Sequence, residues 1–247
     1  MDHAADFRGL TPVEVLAVGV HPDDVELGCG GTLLKLRAAG RSVAILDLTR
    51  GELGTRGTPE LRVQEAAAAA RLLGVDQRLN LGLRDGFLGA SEAEVRAVIG
   101  VLRALRPRVV LANALDDRHP DHGQAAALVR RACFLSGLRR IETRSGGESQ
   151  APWRPDNLFH YIQDRWMLPS FVVDVSAHFE AKLVAVRAFA SQFYDPQSQE
   201  PETYIASQAF WEYHRARAQE LGHFIGAAYG EGFVAGGPLA FDLLPGL

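Results

Sequence analysis

Residues 18–32 read VGVHPDDVELGCGGT. An apolar run, Val13–Val20, has the length and valine content of a buried strand. It stops abruptly at His21-Pro22-Asp23-Asp24, and a glycine-rich stretch follows. Two chemistries suit such a strand end. Gly28-Cys29-Gly30-Gly31 could form a nucleotide-binding turn, or His21, Asp23 and Asp24 could supply half of a metal site. The rest of the chain has to decide.

Outward from this stretch, strand and helix signals alternate. Gly30–Ala39 reads as a helix stopped by Gly40, and Ser42–Leu48 as a second strand. Thr49–Thr58 (TRGELGTRGT) has three glycines and no apolar period, so it is a loop. Pro59–Leu73 is a helix with proline at its start and Gly74 at its stop. Arg78–Leu81 is a weak third strand, Ser91–Leu105 a helix with a Ser91/Glu94 capping box, and Arg108–Ala112 a fourth strand. Pro120–Leu135 is again a helix opened by proline. The alternation predicts an α/β fold: a Rossmann-like, mostly parallel sheet with helices on both faces. The pattern loosens after residue 136. Arg139–Asp156 reads as a long surface loop, and Leu158–Ile162 and Phe171–Val175 as strands. A helix capped by Ser176 follows, then a polar loop at Ser191–Glu202, a helical stretch at Tyr204–Ala228 and an irregular tail from Gly230. We expect one domain over 1–247, with a core at about 12–136 and a C-terminal extension at about 158–247.

The second informative stretch is Asp116–Gly123, DDRHPDHG, which follows the fourth strand as HPDD follows the first. Pro120 suits the first helical position, so His119 is the expected N-cap and His122 lies on the same side of the new helix. Asp121 sits in the first turn, where the helix dipole favours a carboxylate. With strand order 3-2-1-4-5, strands one and four are neighbours and the crevice between them is the expected ligand site. Two histidine-bearing loops would then converge with several carboxylates. Catalytic zinc takes three such ligands, leaves a position open, and lowers the pKa of its water to about 7.

HPDD, TRGELGTRGTPELR and HPDH, each in its place after a strand, resemble the LmbE/PIG-L family of zinc-dependent N-acetylglucosaminyl deacetylases. Either histidine motif alone is weak; together they are specific. GELGTRGTPELR, SQFYDP (191–196) and YGEGFV (229–234) look most like the bacillithiol-biosynthesis members. The resemblance implies one Zn²⁺ per subunit on His21, Asp24 and His122, with Fe²⁺, Mn²⁺ or Co²⁺ as chemically acceptable substitutes. It makes Asp23 the general base and His119, as an imidazolium, the group facing the oxyanion, with Asp121 fixing an imidazole. It points to N-acetylglucosaminyl-malate as substrate, whose carboxylates Arg56 or Arg62 would clamp. Asp85 would accept from sugar hydroxyls, Tyr194 would stand at the pocket rim, and Glu52 would lie behind the site. It also implies a homo-oligomer, with a hexamer as the candidate assembly and the 139–156 loop and tail as candidate contacts. Other conjugates, mycothiol-type or chito-oligosaccharide, remain alternatives.

Two other classes compete. ELGCGGT looks like the glycine-rich turn of S-adenosylmethionine-dependent methyltransferases, but that turn should directly follow a strand, and here Pro22-Asp23-Asp24 intervenes. A non-catalytic metal- or sugar-binding protein is the second, with no positive sign in its favour. Composition narrows the rest. The 26 basic and 30 acidic residues give a net charge of −4, which favours neither nucleic acid nor an anionic membrane. Two cysteines suit a reducing compartment. No stretch is long and apolar enough to span a bilayer, and Met1–Leu10 lacks a signal-peptide core. The expectation is a cytoplasmic enzyme acting on a small sugar conjugate.

Overall fold

The computed structural model describes residues 6–240. The parts of the N-terminal and tail readings that concern 1–5 and 241–247 lie outside the described residues. The chain runs β1 (Val15–Gly19), α1 (Asp24–Ala38), β2 (Val43–Thr49), α2 (Pro59–Leu73), β3 (Gln77–Leu83), α3 (Glu92–Leu105), β4 (Val109–Ala112) and α4 (Pro120–Leu135). A two-residue ladder, β5 (Arg144–Ser145) with β6 (Glu148–Ser149), lies within the expected 139–156 loop. Then come β7 (Asn157–Tyr161), β8 (Phe171–Asp174), α5 (Phe179–Arg187), α6 (Gln208–His223) and β9 (Gly230–Ala235).

Seven strands form one sheet in the order β3-β2-β1-β4-β7-β9-β8. The first five positions are parallel, so the predicted 3-2-1-4-5 order holds, with β7 as the fifth strand. The two-residue period of a strand explains the layers. Leu16, Val18, Ala44 and Leu46 point to one face and pack with Val98, Ile99 and Leu102 of α3 and Leu128 and Val129 of α4. Val15, Ala17, Val43 and Ile45 point to the other and pack with Val25, Cys29 and Leu33 of α1 and Ala185 of α5. Strands buried on both faces read as continuous apolar runs, which is why they are legible in the sequence.

Three segments differ from their sequence reading. The stretch after Gly230 is not irregular: β9 inserts antiparallel between β7 and β8. Ser176 does not cap α5. His178 holds that position, while the Ser176 hydroxyl accepts the Ala228 and Tyr229 amides. Most consequential, α1 begins at Asp24 rather than Gly30, and breaks at Cys29 (φ −146°, ψ 18°). The glycines therefore lie inside a broken helix, which removes the nucleotide-binding turn.

The break has a steric cause and a polar solution. A Cβ on Gly28 would stand 2.2 Å from the Tyr161 ring, so only glycine lets α1 approach β7 this closely. The break frees the Gly31 and Thr32 amides, and the Glu231 carboxylate of β9 accepts both, at 2.9 and 2.7 Å. Lys182 of α5 takes the freed Leu27 carbonyl at 2.8 Å and pairs with Glu231 at 2.6 Å. Both broken ends are thus satisfied in a buried site. Gly28→Ala is expected to destabilise the protein by about 1–3 kcal/mol through overpacking. Urea unfolding checks this, and an unchanged midpoint would show that the Tyr161 ring yields at no cost.

Candidate active site

The C-terminal ends of β1 and β4 bring the two motifs together. The ring nitrogens of His21, His119 and His122 lie within 4.8 Å of one another. Asp24 joins them: its Oδ1 is 3.3 Å from His122 Nε2 and its Oδ2 is 3.7 Å from His21 Nδ1. The carboxylate is held rigidly. Oδ2 accepts the Val20 and His21 amides and the Asn113 side chain, and Oδ1 accepts Gln163 Nε2.

Hydrogen-bond partners fix what each imidazole can do. His122 Nδ1 faces Asp117 Oδ2 at 2.7 Å, so that nitrogen carries a proton and Nε2 is the atom left to take either a second proton or a metal. That Nε2 is buried and has no hydrogen-bond partner. His21 Nε2 faces Asp85 Oδ1 at 2.9 Å, which leaves the Nδ1 lone pair toward Asp24. His119 differs. Its Nδ1 accepts the Asp121 amide at 3.3 Å, so Nε2 carries the hydrogen and the ring is a neutral donor. Burial lowers the His119 pKa, and the neighbouring His21 and His122 lower it further. The hydrogen bond and the lowered pKa favour a neutral Nε2–H over the imidazolium that the resemblance implies.

The charges ask for a cation. Burial opposes a charged His122, but Asp24 and Asp117 overrule it and raise its pKa to about 10. Burial would likewise raise Asp24, and the His122 and His21 imidazoles instead hold it well below the usual carboxylate range. Two aimed imidazole nitrogens and a carboxylate, one of the nitrogens orphaned and buried, match the donor set of a catalytic divalent metal. A metal there takes over the positive charge that a proton otherwise carries on His122.

Asp23 is the residue between. It is buried at φ 135°, a positive value rare outside glycine, and strain of this kind collects at functional sites. Burial raises its carboxyl to about 7, against the opposing pull of the Arg62 guanidinium. Arg62 Nη2 contacts Asp23 Oδ2 at 3.2 Å and Gln192 Oε1 at 2.6 Å. Gly51, at φ 66°, makes room, since a Cβ there would meet Arg62 Nη1 at 1.7 Å.

The residues expected to bind substrate are placed otherwise. Arg62 is engaged with Asp23. Arg56 is buried and donates to Ser191 O, Ser198 Oγ and Pro201 O, so it holds the 191–202 loop in place. Asp85 orients His21 and accepts the Leu53 amide, and Glu52 in turn accepts the Asp85 amide. Asp121 does not fix an imidazole through its carboxylate; Oδ2 accepts the Gly86 amide and ties down the 84–89 loop. Tyr194 is exposed and does not line the cleft. The cleft, partly open to solvent, is lined instead by Arg118, His119, His122, Gln163, Tyr204 and His214, among others. Asp117 escaped the sequence reading although it lies within the quoted DDRHPDHG, five residues before His122. Asn113 and Gln163 carry no motif.

With this geometry in place, comparison with known proteins is decisive. The PIG-L model, described as GlcNAc-PI de-N-acetylase, matches residues 16–133, which span both histidine motifs. The diacetylchitobiose deacetylase of Thermococcus kodakarensis is 32% identical over 90% of this chain and 84% of its own. The chain belongs to the PIG-L family. A 1D-myo-inositol 2-acetamido-2-deoxy-alpha-D-glucopyranoside deacetylase of Streptomyces griseus is 33% identical over 75% of this chain and 77% of its own. The crystal structure of the conserved protein TT1542 from Thermus thermophilus superposes with a TM-score of 0.82, at 41% identity, covering 94% of this chain and 98% of that one. As a PIG-L protein this chain falls among the deacetylases, and its fold is that family's.

Asp117→Asn keeps the shape, but with its oxygen held by the Arg118, Asp164 and Arg165 amides it turns an N–H donor, in place of an acceptor, toward His122 Nδ1. It is expected to weaken metal binding by about 10–100-fold. Competition with a chromophoric chelator measures this directly, and unchanged affinity would remove Asp117 from the site.

Proposed function

We propose that the protein hydrolyses the N-acetyl group of an N-acetylglucosamine conjugate, with one Zn²⁺ held by His21, Asp24 and His122. The observation carrying this reading is the pair of carboxylate-locked imidazoles that aim His21 Nδ1 and His122 Nε2 at Asp24. Zn²⁺ at such a site supplies a Lewis acid that acidifies water and polarises the amide carbonyl. Fe²⁺, Mn²⁺ or Co²⁺ also suit this donor set.

The chain's own groups supply the rest. Asp23, kept basic by burial, takes the proton of the attacking water and passes it to the departing amine. Arg62 holds that carboxylate in position. His119 donates its Nε2–H to the developing oxyanion, which a neutral imidazole does as well as an amide in an oxyanion hole. Water adds at the carbonyl carbon, the C–N bond breaks, and acetate and a free amine leave.

The relatives are named for two aglycones, a second aminosugar and an inositol. The malate conjugate implied by residues 51–62 and 191–196 needs an accessible cation. Arg118 provides one. It lines the cleft beside His119, its side chain is 48% exposed, and its guanidinium stacks on Tyr204 at 4.4 Å. We therefore favour N-acetylglucosaminyl-malate, with Arg118 in the role expected of Arg56 or Arg62. The similarity to a diacetylchitobiose deacetylase favours a neutral disaccharide as the second reading.

Acetate release from N-acetylglucosaminyl-malate, N,N′-diacetylchitobiose and N-acetylglucosamine, with and without chelator, tests both levels. Chelator-sensitive turnover of any of them supports the chemistry. Arg118→Ala should lower kcat/KM about tenfold or more for the malate conjugate and leave the disaccharide unaffected. Equal losses on both would reject the carboxylate clamp.

Asp23→Asn removes the base but no ligand, so kcat is expected to fall about 10²–10⁴-fold with metal stoichiometry retained. In the wild type, kcat/KM rises with pH as Asp23 ionises. That limb belongs at or below the metal-free value of about 7, because a nearby cation favours the carboxylate. Near-normal turnover in Asp23→Asn would exclude it as the base.

A further inference from the structure

One wall of the cleft carries polar atoms that the hydrolytic machinery leaves unused. His214, on α6, lines the cleft together with His119 and His122, and also lines the smaller space behind it with Lys182 and Glu231. It is only 7% exposed. Its ring lies nearly parallel to those of Phe179 and Phe210, at centroid distances of 6.3 and 6.1 Å. Its Nε2 is buried and has no hydrogen-bond partner. Gln163, just beyond β7, lines the same two spaces. Its Nε2 donates to Asp24 Oδ1, which fixes the amide, since an oxygen turned that way would meet a carboxylate oxygen. The other amide atom, Oε1, is therefore an acceptor, and it too is buried without a partner. Arg217 anchors this segment by donating to the Gln163 and Asp164 carbonyls.

An unsatisfied buried polar atom costs about 1–3 kcal/mol, so two in one cleft point to a ligand that supplies the missing bonds. Chemistry narrows that ligand. Gln163 Oε1 accepts only, which rules out a carboxylate or phosphate against it. An ammonium group would meet Lys182 and Arg217. An aliphatic acyl chain would leave both atoms unpaired. A hydroxyl donates to Gln163, and the same or a neighbouring hydroxyl exchanges a hydrogen bond with His214. Burial, reinforced by Lys182, Arg217 and Arg215, holds the His214 pKa well below its ordinary value, so the ring is neutral.

We propose that His214 and Gln163 form a hydroxyl-reading subsite, which selects substrates by a neutral hydroxyl or diol edge of the sugar rather than by its acyl group or aglycone. The proposal rests on the deacetylase reading for its substrate class. His214 is its specificity-determining residue, and the stacked aromatic rings set the orientation of its Nε2. A subsite of this kind rejects an analogue lacking the hydroxyl, because its own polar atoms are then left unpaired.

The test uses the metal-loaded protein, methyl N-acetylglucosaminide and its 3-, 4- and 6-monodeoxy analogues. The wild type should lose about tenfold in kcat/KM, or more, on one of the analogues. His214→Phe keeps the aromatic stack and removes the nitrogen. It should lose about tenfold on the parent sugar and almost nothing further on that analogue, while His214→Asn restores part of the discrimination. A wild type indifferent to all three deletions, or a His214→Phe variant that still discriminates fully, overturns the proposal. Calorimetry with methyl glucosaminide, the amine product, gives a readout that needs no turnover. If no sugar is deacetylated, the deacetylase reading fails, and the subsite stands only if binding of this amine weakens about tenfold in His214→Phe. Unweakened or undetectable binding then overturns the subsite as well.

Discussion

Negative charge packed around three imidazoles is the constraint on which this structure turns. Asp24, Asp85 and Asp117 all lie within hydrogen-bond or ion-pair distance of a histidine ring, and all three are buried. Buried carboxylates persist as anions only where positive charge or donors offset the loss of water. Each of these three accepts backbone amides, which pins its position. The amides do not balance the charge. A proton on His122 does so in part, and a divalent cation in its place would do so more fully. The metal site and the stability of these loops are thus one electrostatic problem with one solution.

The broken helix α1 places the other half of the chemistry. Starting at Asp24, directly after the turn from β1, it carries Asp24 into the cluster and Leu27 to the cleft. Side chains at 28 or 31 would run into Tyr161 of β7 or into Val175; the glycines avoid that collision, and the helix breaks between them at Cys29. The cost falls on the Gly31 and Thr32 amides and the Leu27 carbonyl, which Glu231 and Lys182 satisfy. The C-terminal strand β9 and helix α5 therefore support the first turn of α1 from behind. The region after residue 158, which sequence periodicity describes only loosely, is part of what positions Asp23 and Asp24.

What sequence could reveal follows from the range of the forces involved. Strands β1, β2 and β4 are buried on both faces, and their apolar runs announce them. HPDD and HPDH are local, and the topology of a parallel sheet is enough to bring them together. The start of α1 was hidden because its glycines interrupt the helical period just where tertiary packing requires them. β9 was hidden because Gly230 and Gly232 read as a loop, although a Cβ at either would collide with α6 residues. The side chains assigned to substrate are indeed unusual, yet their partners lie elsewhere in the chain. Arg62 meets Asp23, 39 residues away, and Arg56 meets Ser191, 135 residues away. No local pattern encodes which buried carboxylate a guanidinium will find.

His119 and His122 show how far partner identity outweighs residue type. They are three residues apart at one helix start, with ring centroids 5.3 Å apart. His119 is the N-cap, so the free amide of Asp121 claims its Nδ1 lone pair and leaves Nε2 protonated. His122 is one turn inside, where the helix's own amides are used, and the Asp117 carboxylate claims its Nδ1 proton instead. One ring becomes a neutral hydrogen-bond donor; the other turns Nε2 toward Asp24, where a cation could replace the proton that its raised pKa keeps there. The division follows from helix capping and a single aspartate: position within the first turn of α4 sets which partner each ring finds.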